Sequence, residues 1–176
     1  VAAALEGLGY RAAASPEEAD VVVLNTCVVR QSAEDKAYGW LTSLRPLKQR
    51  RPEMVVNLMG CLVGVREDPA LRRRFPYVDV FSPPSDVQPL LEHLRRADGR
   101  AALDSDLLQR NALLDGEWVL PEAERGRRVA AHVPIVLGCS HACTYCIIPY
   151  RRGVERSRPA EAIESDVRAL AAQGVR

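Results

Sequence analysis

Three short apolar runs, Val21 to Leu24, Met54 to Met59 and Tyr77 to Phe81, alternate with stretches that carry a helical period. A strand inside a parallel sheet is covered by crossover helices on both faces, so it reads as a near-continuous apolar run of this length. Residues 1 to about 97 are therefore constrained to an α/β fold with a parallel sheet, of the Rossmann or flavodoxin-like kind. The intervening helix is predicted to start at Ser32, with Asp35 three residues on as a capping box, and to run through Trp40, Leu41 and Leu44. At the start of the chain, VAAALEGLGY predicts a helix stopped by Gly9. A last helix is predicted to begin near Pro159, with Ile163, Val167, Leu170 and Ala171 on one face, and to stop at Gly174-Val175-Arg176. The first residue is Val1, inside a helical pattern, and the last helix stops where a strand is expected. The expectation is an internal piece of a longer protein, inactive by itself.

Five cysteines, an odd number, are Cys27, Cys61, Cys139, Cys143 and Cys146. The last three form a CxxxCxxC triplet, too closely spaced for a disulfide framework, which points to a reducing compartment. Three thiolates can hold three irons of a cubane cluster and leave the fourth iron open for a substrate or cofactor. The structural alternative is zinc, which wants four ligands and would have to recruit His141. A thioredoxin-like CxxC would leave Cys139 unexplained. Cys27 and Cys61 directly follow the ends of the first two predicted strands. Ligands gather at the carboxyl ends of such strands, and neighbouring strands lie about 4.8 Å apart, so two thiols there can reach one group. The other reading of both is a small buried hydrophobe.

The net charge of +1 neither requires nor excludes a nucleic-acid partner. Clusters at Arg72 to Arg74, at Arg125, Arg127 and Arg128, and at Arg151, Arg152, Arg156 and Arg158 read either as solvated surface or as contacts to RNA phosphates. No apolar stretch approaches the roughly 20 residues of a membrane helix. Residues 98 to 131 read as a connector, with a short amphipathic helix around Leu103 to Leu114. Val133 to Leu137 is predicted as a strand leading into the triplet loop.

The string GCSHACTYCIIPYRRGVERSRP, Gly138 to Pro159, resembles the methylthiotransferase branch of the radical S-adenosylmethionine (SAM) enzymes. NTCVVRQSAEDK, Asn25 to Lys36, and Gly60-Cys61 resemble the amino-terminal domain of the same branch. The resemblance implies two 4Fe-4S clusters: a SAM-binding one on Cys139, Cys143 and Cys146, and an auxiliary one on Cys27, Cys61 and a third cysteine upstream of Val1. It implies an auxiliary-cluster domain over residues 1–97, incomplete at its start, and the first βα unit of a partial (β/α) barrel over residues 132–176. Tyr145 would lie beside the adenine of SAM. Leu62-Val63-Gly64 departs from the family's usual Ala-Gln continuation.

The implied activity is addition of a methylthio group to carbon 2 of an isopentenylated adenosine in tRNA. Its rivals are the branches that act on threonylcarbamoyladenosine in tRNA or on an aspartate of a ribosomal protein. A rival of another class is a non-catalytic iron-sulfur module for electron transfer or redox sensing. Implied partners are tRNA and an electron donor such as flavodoxin, for a cytoplasmic monomer without a membrane contact.

Overall fold

A computed structural model describes residues 1–66, 68–97 and 119–176. Its centre is a three-stranded parallel sheet, β1 (Val21–Thr26), β2 (Val55–Gly60) and β3 (Val80–Ser82), in that spatial order. Residues alternate between faces along each strand, and both faces are buried. On one side Val22, Leu24, Val56 and Leu58 pack with Leu41, Leu44 and Leu47 of α2 (Gln31–Arg50) and Leu71 of α3 (Pro69–Arg74). On the other, Val21, Val23, Val55 and Val80 pack with Leu90, Leu91 and Leu94 of α4 (Gln88–Ala97) and with Ala4 and Leu5 of α1 (Ala2–Gly7). The apolar runs thus form the doubly covered sheet that their length predicts.

Two details differ from expectation. The third strand covers Val80–Ser82 and not Tyr77 to Phe81. Tyr77 instead turns under α2, where its hydroxyl donates to the Leu41 carbonyl at 2.7 Å, and the ladder starts only after it. The second helix begins at Gln31, with Arg30 as a cap residue that makes no side-chain cap bond. Ser32 lies inside the helix, and Asp35 accepts a hydrogen bond from Gln31 Nε2 at 3.0 Å, so the capping box is not made.

Past the sheet domain, β4 (Val136–Leu137) pairs antiparallel with β5 (Arg156–Ser157). Between them lie the cysteine triplet and α5 (Ile148–Arg152), and α6 (Ala160–Ala172) follows. The predicted strand Val133 to Leu137 is reduced to two residues. On α6, Val167 and Ala171 face solvent, whereas Asp166 is buried beside Leu170. The buried face is rotated from the apolar stripe because Asp166 is drawn inward by a partner described below.

Both glycine stops hold. Gly9 and Gly174 take φ of 90° and 92°, and each helix closes with the paired bonds of a Schellman motif. These run from Tyr10 N to Leu5 O and Gly9 N to Glu6 O, and from Val175 N to Leu170 O and Gly174 N to Ala171 O. The expected helix around Leu103 to Leu114 lies outside the described residues. The described end of the connector, with a 3-10 turn at Glu122–Glu124, is tied to both flanks. Glu122 N donates to Glu6 Oε2 at 3.0 Å and Leu120 N to Gln173 Oε1 at 2.7 Å. Among the described residues no helix is long and apolar enough to cross a membrane.

Candidate metal centre

The β1–β2 ladder ends with Thr26 opposite Gly60, so Cys27 and Cys61 are the next residues on adjacent strand ends. Thr26 knits this corner together. Its carbonyl accepts from Cys61 N at 3.1 Å, and its buried hydroxyl donates to Met59 O at 2.7 Å and accepts from Leu62 N at 3.2 Å. Gly60 turns the chain at φ +97°, and a Cβ there would lie 2.5 Å from the Thr26 carbonyl oxygen. Only glycine tolerates both the left-handed backbone and that approach. Cys61 is 2% exposed and Cys27 is exposed, and both are free thiols.

The triplet loop is clamped where it leaves and rejoins the β4–β5 pair. Cys139 N donates to Gly153 O at 3.0 Å, and Glu155 N donates to Ser140 Oγ at 3.0 Å. Gly138, at φ +75°, lies so close to the returning strand that a Cβ would collide with the Val154 carbonyl oxygen. Within the loop Cys146 N donates to Cys143 O at 3.1 Å, a tight turn that brings the backbones of these two cysteines together. Cys139 and Cys146 are half-buried, while Cys143, His141 and Tyr145 are exposed. Among the described residues no three Cys, His, Asp or Glu side chains stand together in a metal-holding arrangement. Loop and strand ends thus bring the backbones of each cysteine set together, while the three triplet thiols do not form a metal-holding group. The donor chemistry fits an iron-sulfur group: all five cysteines are free thiols, and iron-sulfur clusters are held by thiolates.

The two cysteine loops touch. Arg152 Nε donates to Cys61 Sγ at 3.4 Å. A Cβ on Gly64 would meet the Arg151 side chain at 3.5 Å, and one on Gly153 would meet Val65 at 3.6 Å. The Arg151 charge also reaches Tyr38. Burial, with Glu34, raises the pKa of that phenol above its ordinary value, and Arg74 and Arg151 pull against the rise.

Arg158 departs from the expectation of a solvated or RNA-facing residue. It is buried: Nη1 donates to the Pro134 carbonyl at 2.8 Å, and Nη2 stands 2.6 Å from Asp166 Oδ2. The pair fastens α6 beneath both ends of the triplet loop. A charged residue at Asp166, three after Ile163 and four before Leu170, interrupts the apolar stripe, and that interruption is the sequence signal for a buried partner. Arg156 is exposed on β5, and Arg128 pairs with Glu124 at 2.5 Å. Arg72 lies over the Phe81 ring at 4.6 Å and Arg74 over Tyr38 at 4.1 Å. Sequence reasoning missed the Thr26 hydroxyl and the contact of Arg152 with Cys61, since neither has a local pattern.

Residues 1–82 match the family described as Uncharacterized protein family UPF0004. Almost the whole chain is similar to proteins named tRNA-2-methylthio-N(6)-dimethylallyladenosine synthase. That of Herpetosiphon aurantiacus is 39% identical over 98% of this chain and 36% of its own length. That of Roseiflexus sp. is 39% identical over 99% of this chain and 34% of its own length. The Methylococcus capsulatus protein is 40% identical over 95% of this chain and 36% of its own length. The chain spans about a third of the length of these curated relatives.

Proposed function

We propose that this chain belongs to the methylthiotransferase family and is part of a tRNA-modifying transferase that places a methylthio group on carbon 2 of an isopentenylated adenosine, a reading supported by its similarity to the relatives above. The observation that carries this reading is the contact between the two cysteine loops, with Arg152 Nε 3.4 Å from Cys61 Sγ. A reaction that needs sulfur delivered at one group and a radical generated at another requires the two to share a cavity. A non-catalytic electron carrier has no need of an open triplet beside a second thiol set.

In this reading Cys139, Cys143 and Cys146 hold a 4Fe-4S cluster with one iron free for SAM. Cys27 and Cys61, with a third ligand, hold the auxiliary cluster. When bound, the triplet's cluster supplies the single electron that splits SAM, the radical route demanded by an aromatic C–H bond that has no easy polar chemistry.

The chain's own residues do the positioning. Gly138 and the Cys139–Gly153 bond fix the loop's entry, and Arg158 with Asp166 fixes the helix beneath it. Tyr145, 90% exposed, leaves a ring face free to stack on the adenine of SAM. In this reading exposed Arg156, with Arg72 and Arg74 over their aromatic rings, would contact tRNA phosphates. The organisation that goes with this reading is an auxiliary-cluster domain over residues 1–97, a connector over residues 98–131 and the opening unit of a (β/α) barrel from residue 132. It also implies a cytoplasmic setting and a flavodoxin-like reductant.

Nucleoside analysis of tRNA from cells with and without the gene tests the proposal. The expected result is loss of the methylthio form of isopentenyladenosine, with the unmodified precursor accumulating. Persistence of that nucleoside overturns the assignment, and loss of the methylthio group from threonylcarbamoyladenosine or from a ribosomal aspartate would move it to another branch.

A further inference from the structure

We propose that Arg152 is a positioning residue that raises the reduction potential of the iron-sulfur group held by Cys61, a role that rests on the reading of Cys61 as a ligand. The segment after the triplet docks on the turn after Cys61 at three places. These are Arg151 against Gly64, Gly153 against Val65, and Arg152 on the sulfur itself. Such a docking fixes the guanidinium in direction as well as distance. Gly153, at φ +77°, turns the chain sharply after Arg152, and its N–H caps α5 through the Pro149 carbonyl at 3.1 Å.

Cys61 is 2% exposed, so a charge beside its sulfur is poorly screened by water. Hydrogen bonds to cluster sulfurs, net charge and burial set the potentials of such groups. One-electron reduction adds a negative charge to the cluster and its sulfurs. A cationic N–H donor aimed at one of those sulfurs stabilises the reduced form more than the oxidised form, and the potential rises. Because Arg152 comes from the loop that carries the other three cysteines, the triplet's loop regulates the electron affinity of the second site.

The test uses the full-length protein, prepared without oxygen, in a background where Cys139, Cys143 and Cys146 are all Ala, so that the group on Cys27 and Cys61 alone is read. Spectroscopic redox titration compares Arg152, Arg152→Gln and Arg152→Lys. Arg152→Gln is expected to lower the one-electron reduction equilibrium constant at least tenfold, which is about 59 mV. Arg152→Lys, which keeps the cation, is expected to recover most of that change. An unchanged potential in Arg152→Gln overturns the inference, as does an equal shift in both variants, which would report disturbed packing and not the charge. Failure of the underlying ligand assignment looks different: Cys61→Ala would then leave the iron content of this background unchanged.

Discussion

Removing Asp166 should cost far more than an acidic residue on a helix ordinarily does. Its carboxylate is 1% exposed and the Arg158 side chain 0% exposed, with Nη2 and Oδ2 2.6 Å apart. Two unit charges whose centres are about 4 Å apart attract by about 4 kcal/mol at an effective dielectric near 20. Desolvation offsets much of that gain in the intact pair, but it is left uncompensated when one partner is deleted. Asp166→Ala is therefore expected to cost about 3–5 kcal/mol. Replacing both, as Arg158→Met with Asp166→Leu, should fall within about 1 kcal/mol of the parent or stabilise it. Hydrogen exchange at the amides of Cys139 and Arg158, which bond to Gly153 O and Ile135 O, reads the local effect. Since 1.4 kcal/mol is a factor of ten, Asp166→Ala should speed their exchange about a hundredfold or more. A change in exchange of less than about tenfold in that variant would show that the buried pair does not hold the loop. Simple addition of the effects of the two single changes would show the same, since a pair that acts as a unit must show coupling.

Other perturbations probe the cysteine loops and the sheet that carries them. Cys143→Ala should lower the iron content of the anaerobically reconstituted full-length protein from about eight to about four per chain, and unchanged iron would remove Cys143 from the ligand set. Gly60→Ala combines a left-handed backbone with a Cβ 2.5 Å from the Thr26 carbonyl oxygen. It should cost about 2 kcal/mol or more in urea unfolding, and a cost near zero would show that the strand end relaxes freely. Thr26→Val strips the hydroxyl from a buried site between Met59 O and Leu62 N, with an expected loss of about 1–3 kcal/mol by the same assay. Burial raises the pKa of Tyr77, with Arg45 opposing. Because the folded value exceeds the unfolded one near 10, the associated stability is whole below about pH 10 and is lost as pH climbs through the folded value. Tyr77→Phe should cost about 1 kcal/mol at neutral pH by removing the bond to Leu41 O and should flatten the alkaline decline. An unaltered alkaline profile would sink the second part.

How far the chain could be read before folding depended on the range of the interaction. Val21 to Leu24 and Met54 to Met59 announce doubly buried strands because burial on both faces leaves a near-continuous apolar run, broken only by Asn57, which is buried and accepts from Ser82 Oγ, and Gly9 and Gly174 announce helix ends because a left-handed φ favours one residue type. The cysteine spacing at Cys139, Cys143 and Cys146 likewise states its donor chemistry locally, as does the placing of Cys27 and Cys61 just beyond two strands. Tertiary structure alone decided which partners those elements would meet. Tyr77 left its predicted strand for the Leu41 carbonyl, Asp166 turned α6 away from its apolar stripe toward Arg158, and Arg152 came to rest on the sulfur of a cysteine 91 positions earlier. Each is a contact between polar groups distant in sequence, whose energy depends on burial and on a direction in space that no periodicity along the chain encodes.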